Sequence, residues 1–417
     1  MTMEFLNRSL DIYGNDEIVL CQDDISLGKK EFISLCNTAK DNAKQNLSQC
    51  KDVYIVSDNS VRGLAAVIGL VAAGINVLPL NTFNNGYMND YLISQIKGIV
   101  EVDVNGLFED SLPGKTNKML GGIYTYSAGT TGYPHISLTD VFGFTRRDLK
   151  KQRAMISKKM NMGKTSKVFY SAPLMSGATV YISMIMLGLK VYLTNGIPQT
   201  KAIQDILNKH GIDVCTGRPS IIERFMQEEQ KLDGIKTFIS AGAPLNKTHV
   251  DFINSIGAER IVDFYSTTEA GLIGIREATT EDAFDIFPGV KIKNTTDKFF
   301  TINSKFCYEK NNINIDDRIS VKGKKIKTLE RPVKKIKSNG FSVSINVLKT
   351  AVTDFPGISD AKISGCRFEG KDAVKLEYTG EYVDKEELNK FLSKRLPFYS
   401  IPRVTNFIES SEWGMGK

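Results

Sequence analysis

Short segments rich in β-branched and aromatic residues alternate with helix-period segments along most of this chain, and that alternation limits the fold more than any other feature. Asp52–Ser57 (DVYIVS) predicts a strand, SVRGLAAVIGLVAAG a helix with Ser60 as its N-cap, and INVLPLN a second strand. Further along, Lys167–Leu174 (KVFYSAPL) predicts a strand, TVYISMIMLG an apolar helix and LKVYLTN a strand. AIQDILNKHG is an amphipathic helix ended by Gly211, IDVCTG a strand, SIIERFMQEEQ a helix and Lys236–Ala243 (KTFISAGA) a strand. Parallel strands need helical crossovers, so the pattern predicts an α/β fold of mainly parallel sheets covered by helices.

Beyond about Arg331 the rhythm changes. VSINVLKTAVTDF, AKISGCRF, VKLEYTG and DKEELNKFLSKR, with Asp384 as N-cap, predict a small α+β unit, and the basic, proline-containing TLERPVKK reads as a hinge. The expected division is a large N-terminal domain, 1–331, and a small mobile C-terminal domain, 332–417. A length of 417 residues accommodates both with a sizeable core in the larger.

Composition excludes several alternatives. Charged residues make up 24% and hydrophobic residues 41%, which fits a globular chain and excludes a disordered one. The six cysteines contain no C-x-x-C pair, and none of the three histidines has metal-ligand spacing to another, so neither a zinc knuckle nor a redox dithiol is expected. Scattered thiols and the lack of an apolar leader predict a reduced, cytoplasmic protein. The longest apolar run, Gly63–Leu80, is interrupted by Gly74 and Asn76, so it reads as a buried helix and strand and not a membrane span. The net charge of +7 raises nucleic acid as a partner, but the basic residues are not interleaved with aromatics, and none is expected.

The segment that carries chemistry is Ile123–Asp140 (IYTYSAGTTGYPHISLTD). Its six residues Ser127 to Gly132 are all small, hydroxylated or glycine, a composition that lets backbone N–H groups converge on an anion. The G-x-x-x-x-G-K-[ST] order of a Walker loop is missing. The segment resembles instead the loop of the ANL superfamily of adenylate-forming enzymes, roughly [ST]-[SG]-G-[ST]-T-G-x-P-K. Ser127, Gly129, Thr130, Thr131, Gly132 and Pro134 match it, while His135 replaces the lysine and Ala128 a serine.

Other segments resemble the same family in the same order. Phe238–Leu245, with Ala241 and Gly242, resembles the turn that lines the adenine and acyl pocket, and Asp263–Gly274 (DFYSTTEAGLIG) resembles Y-G-x-T-E, with Ser266 in place of glycine. INIDDRISVKGKKIKTLER resembles the segment from the ribose aspartate, Asp317 or the neighbouring Asp316, to an arginine, Arg331. Gly340 falls on the glycine that opens the small domain, and RLPFYSIPRV followed by GMGK resembles the stretch that ends in the family's lysine, Lys417. The resemblance covers about residue 50 onward.

It implies an acid–thiol ligase. A carboxylic acid attacks the α-phosphorus of ATP, and the acyl group then passes to the thiol of CoA or of a carrier protein's phosphopantetheine. Lys417, Thr268 and His135 are the implied catalytic residues, Glu269 the ligand of Mg²⁺, and Ser127, Gly129, Thr130, Thr131, Gly132, Ala241, Gly242, Tyr265, Asp317 and Arg331 the implied nucleotide-binding residues. A neutral His135 predicts a weaker hold on pyrophosphate than lysine gives, and Val333 stands where relatives carry a charged or acidic hinge residue. No aspartate suited to an α-amine is evident, which favours a simple aryl or acyl acid. Transfer to an amine, or a homologue that binds without turnover, are the alternatives.

Overall fold

The computed structural model describes residues 2–82, 86–109, 120–126, 136–160, 166–170, 172, 174–194, 200–229, 232–296, 299–308, 313–315, 318–330, 335–338, 341–396, 398–409, 411 and 413. By internal contacts the chain divides into two compact units. Met1–Asn81, Gly98–Thr125 and Ser137–Arg331 form one, and Thr82–Lys97, Tyr126–Ile136 and Pro332–Lys417 form the other.

The first unit is built on an eleven-stranded sheet. Six neighbouring strands run parallel: Arg260–Thr267, Thr237–Ala241, Val214–Gly217, Lys167–Phe169, Lys190–Leu193 and Ile18–Gln22. Antiparallel strands flank them, with Ile25–Gly28 on one side and Gly271–Glu277 on the other. A second, five-stranded sheet has the order Val100–Glu101, Asp52–Val56, Asn76–Leu80, Ile123–Tyr126, Ile136–Thr139. The parallel strands of the large sheet are buried on both faces, as parallel strands under helices must be. Val168, Val214, Ile239 and Val262 pack into one core cluster, and their chain neighbours Phe169, Cys215, Phe238 and Ile261 into another, the period-2 alternation of strands with a core on each side.

The apolar helix Val61–Ala73 is buried at every position except the exposed Arg62 in its first turn, which explains why the rest of it carries no polar side chain. The Ser60 hydroxyl accepts from the Gly63 amide, and Gly74 closes the helix at φ +89°, a conformation that favours glycine. The strand expected over Lys167–Leu174 is shorter. It ends at Phe169, and Leu174 already opens the helix Leu174–Met186. Leu174, Ala178 and Tyr181 continue the apolar stripe of that helix, so burial takes the segment away from the sheet.

In the second unit a long hairpin, Ile358–Phe368 with Lys371–Gly380, pairs in parallel with Val404–Phe407 and carries the helices Ile345–Thr353 and Lys385–Ser393. Asp384 caps the latter by accepting from the Glu386 and Glu387 amides at 2.9 and 3.0 Å. Leu348, Ala351, Val352, Leu376, Tyr378 and Leu392 form its core.

All six cysteines are free. No helix among the described residues is long and apolar enough to cross a membrane.

Candidate active site

In open parallel sheets the ligand edge is the one at the carboxyl ends of the strands. Here that edge collects Tyr170, Arg218, Ala241–Gly242 and the Ser266–Glu269 turn, each directly at the end of its strand.

The last of these is the best defined. The strand Arg260–Thr267 shifts register between Tyr265 and Ser266, and the Thr267 hydroxyl then accepts from the Ala270 amide at 3.1 Å to close a turn that holds Thr268 and Glu269. Both are half-buried. Gly271 follows at φ +67°, and a Cβ there would lie 2.7 Å from the Phe306 ring, so only glycine lets the chain turn under that ring. Tyr265 is buried, with its ring 5.7 Å from that of Phe284.

Three contacts bring the stems of the glycine- and threonine-rich loop to this turn. Thr125, two residues before the loop, is within donor reach of the carbonyls of Ser137 on the far stem, 3.2 Å, and of Thr268, 3.5 Å. Thr139 donates to the Ile123 carbonyl at 2.8 Å and forms a bridge to Cys307. Cys307 Sγ in turn lies 3.6 Å from the Glu269 carbonyl. Burial, the larger effect, pushes the Cys307 thiol above its ordinary range, so it serves as a donor. The incoming strand is anchored from below. Tyr124 donates to Asp52 at 2.6 Å, Asn76 donates to the same oxygen at 2.8 Å, and the Gly122 amide donates to Asn76 at 2.8 Å. Burial and the Asp52 carboxylate keep the Tyr124 phenol protonated.

Among the expected residues, Thr268, Glu269, Tyr265, Ala241 and Gly242 therefore share one edge of one sheet. Ser127, Gly129, Thr130, Thr131, Gly132, His135, Asp316, Asp317, Arg331, Val333, Gly340 and Lys417 lie outside the described residues. Glu269 makes no side-chain hydrogen bond or ion pair among the described residues, and no cluster of three or more metal-ligating side chains occurs among them. A lone carboxylate fits Mg²⁺, which takes one or two protein carboxylates and fills its other positions with phosphate oxygens and water.

One element of the site escapes sequence reading. Asp263, beneath the turn, is buried and accepts from Arg276 Nη2 and Nε at 2.8 and 3.1 Å. Burial raises its pKa to about 6, against the opposing pull of Arg276, whose guanidinium also sits 4.6 Å over the Phe284 ring. The signal was a single charge inside the apolar run IVDFY, without any local hint of its partner.

Residues 123–296 match the family model described as AMP-binding enzyme. No curated protein matches the chain by sequence. Among solved structures it is similar to the o-succinylbenzoate CoA synthetase MenE of Bacillus subtilis, at 14% identity and a TM-score of 0.77, over 98% of this chain and 95% of that one. The amide bond synthetase McbA of Marinactinospora thermotolerans follows at 13% and 0.74, over 97% and 95%. A fused adenylation–carrier di-domain, NpsA-ThdA, from Klebsiella oxytoca gives 12% and 0.73, over 97% and 93%. At such identities the likeness is one of fold.

Proposed function

We propose that this chain is an adenylate-forming enzyme of the ANL superfamily, which activates a carboxylic acid with ATP and passes the acyl group to a thiol of CoA or of a carrier protein's phosphopantetheine. The observation that carries the reading is the meeting of the loop stems with the Thr268–Glu269 turn through Thr125 and Cys307.

In this reading residues 1–331 bind ATP and the acid, and residues 332–417 carry Lys417. The loop Ser127–His135 holds phosphates with backbone amides and hydroxyls. Thr268 donates to the α-phosphate, Tyr265 lies by the adenine, Asp317 accepts from the ribose hydroxyls and Arg331 steadies the nucleotide. Glu269 holds Mg²⁺, which when bound offsets phosphate charge. The acid and the triphosphate are both anions, and two unit charges 4 Å apart repel by about 4 kcal/mol at an effective dielectric near 20. Lys417 offsets that repulsion where it is greatest, in the transition state.

The thiol acceptor is supported by the CoA synthetase among the similar structures, and the amide bond synthetase beside it keeps an amine as the competing acceptor. Carboxylate-dependent exchange of pyrophosphate into ATP tests the first step across aryl, short-chain and long-chain acids. Exchange with at least one acid is expected, and ATP binding without exchange by any acid would make the chain a non-catalytic binder. CoA, phosphopantetheinylated carrier protein and hydroxylamine, compared as acceptors, test the second step.

A further inference from the structure

The ligand edge of the large sheet also presents a cation that the proposed chemistry does not use. Arg218 directly follows the strand Val214–Gly217 and is exposed. Its side chain makes no hydrogen bond or ion pair among the described residues, although carboxylates are plentiful in the chain. Val214 belongs to the core cluster between the sheets, so strand alternation puts Thr216 and Arg218 on that same face, away from Cys215. Two neighbours place it in the site. Its Nε, Cδ and Cγ lie 3.8–3.9 Å from where a Cβ on Gly242 would stand, and Gly242 sits at φ +86° in the turn assigned to the adenine and acyl pocket. Tyr170 stands at the end of the adjacent strand, in which Phe169 pairs with Cys215. Tyr170 is held from behind by Tyr181, with ring centroids 4.8 Å apart, and the Tyr181 hydroxyl is within donor reach of the Tyr170 and Ala172 carbonyls, at 2.7 and 2.8 Å. The Tyr170 hydroxyl itself has no hydrogen-bond partner among the described residues. Burial raises its pKa, so it remains a donor.

Two donors that have no acceptor among the described residues thus stand on the same side of one sheet edge. A guanidinium offers a planar fork that matches a carboxylate, and a phenol adds a third donor. We propose that the acid is a dicarboxylic acid whose second, unreacted carboxylate is bound by Arg218 with help from Tyr170, making Arg218 a specificity-determining residue. The inference rests on the acid-activating reading above and names the substrate class for that site.

Matched acids test it: benzoate against isophthalate and terephthalate, and butyrate against glutarate. Each is measured by pyrophosphate exchange and, independently of turnover, by calorimetric binding in the presence of a non-hydrolysable ATP analogue. The wild type is expected to prefer the diacid in at least one series, mainly through KM. R218Q is expected to reduce the diacid-to-monoacid ratio by about tenfold to a hundredfold, and R218K, which keeps the charge but loses the fork, to restore part of it. The proposal is overturned if no diacid binds, if monoacids bind as well as diacids in every series, or if R218Q changes both members of a pair by the same factor. Exchange that fails with every acid while diacids still bind through Arg218 would sink the adenylation reading and leave this one standing.

Discussion

At the residue scale the proposed chemistry rests on a few side chains whose types were readable and whose partners were not. Thr268, Glu269 and Tyr265 stand out in the sequence because DFYSTTEAG is compact and local. Arg276, which binds Asp263 from the next strand, and Arg218, which lies against Gly242, are made meaningful only by contacts that a linear reading does not contain. His135 is the substitution with the clearest consequence. A mostly neutral imidazole gives phosphates less charge than an ammonium, so H135K should lower the KM for ATP in the exchange assay, and an unchanged or raised KM would count against the loop assignment. Glu277 gives a prediction about stability. Its carboxylate is buried and accepts from the Thr279 hydroxyl at 2.6 Å and the Thr280 hydroxyl at 2.5 Å. Burial alone would raise its pKa, but these hydrogen bonds and those from backbone amides outweigh it and hold the group below the ordinary glutamate value of 4.5. A depressed pKa contributes stability that is present above that ordinary value and is lost as pH falls through the lower folded value. E277Q should therefore cost about 1–3 kcal/mol at pH 7 and flatten the acid limb of the stability curve, as measured by urea midpoints at neutral pH and below the ordinary glutamate pKa.

At the scale of elements, local signals succeeded where burial and capping agreed. The helix Val61–Ala73 has its serine cap, its apolar run and its terminal glycine in the expected places. The segment after Phe169 misled because APLM is as apolar as a strand, and only packing beside Tyr181 makes Leu174 the start of a helix. The Thr268–Glu269 turn shows how tightly one element depends on another. Gly271 passes beneath Phe306, and the adjacent Cys307 reaches the Glu269 carbonyl. G271A puts a methyl group 2.7 Å from the Phe306 ring in a backbone conformation that suits only glycine. It should lower stability by about 1–3 kcal/mol and raise the KM for Mg·ATP, since the displaced ring moves the turn that carries Glu269. Thermal denaturation read alongside the KM separates the two effects. A destabilised protein with an unaltered KM would mean that Phe306 does not set the position of Glu269.

At the scale of the whole molecule, the order of motifs along the chain was legible and the order of strands in space was not. Ile18–Gln22 inserts beside Lys190–Leu193, and its partner Ile25–Gly28 closes that edge. Nothing local to the first fifty residues announces a pairing with a strand so far along the chain, because parallel register is set by tertiary packing. The alternation of strands and helices constrains the class of fold, and the site follows from it, because parallel strands deliver their carboxyl ends to one edge. In the proposed scheme what that edge supplies is binding, with hydroxyls for phosphates and the Glu269 carboxylate for a cation. Binding of this kind acts on ground state and transition state alike and does not by itself accelerate the reaction. The acceleration requires a charge that acts where the acid oxygen meets phosphorus, and in the proposed scheme Lys417 is that charge. K417A should consequently slow carboxylate-dependent pyrophosphate exchange by about 10²- to 10³-fold while ATP affinity, measured at equilibrium, changes far less. Transfer from a supplied acyl-adenylate to the thiol should fall much less than exchange, because that step no longer brings an anion to a polyanion. Exchange that continues at the wild-type rate would remove Lys417 from the mechanism, whereas a parallel loss of ATP affinity would assign it to binding alone.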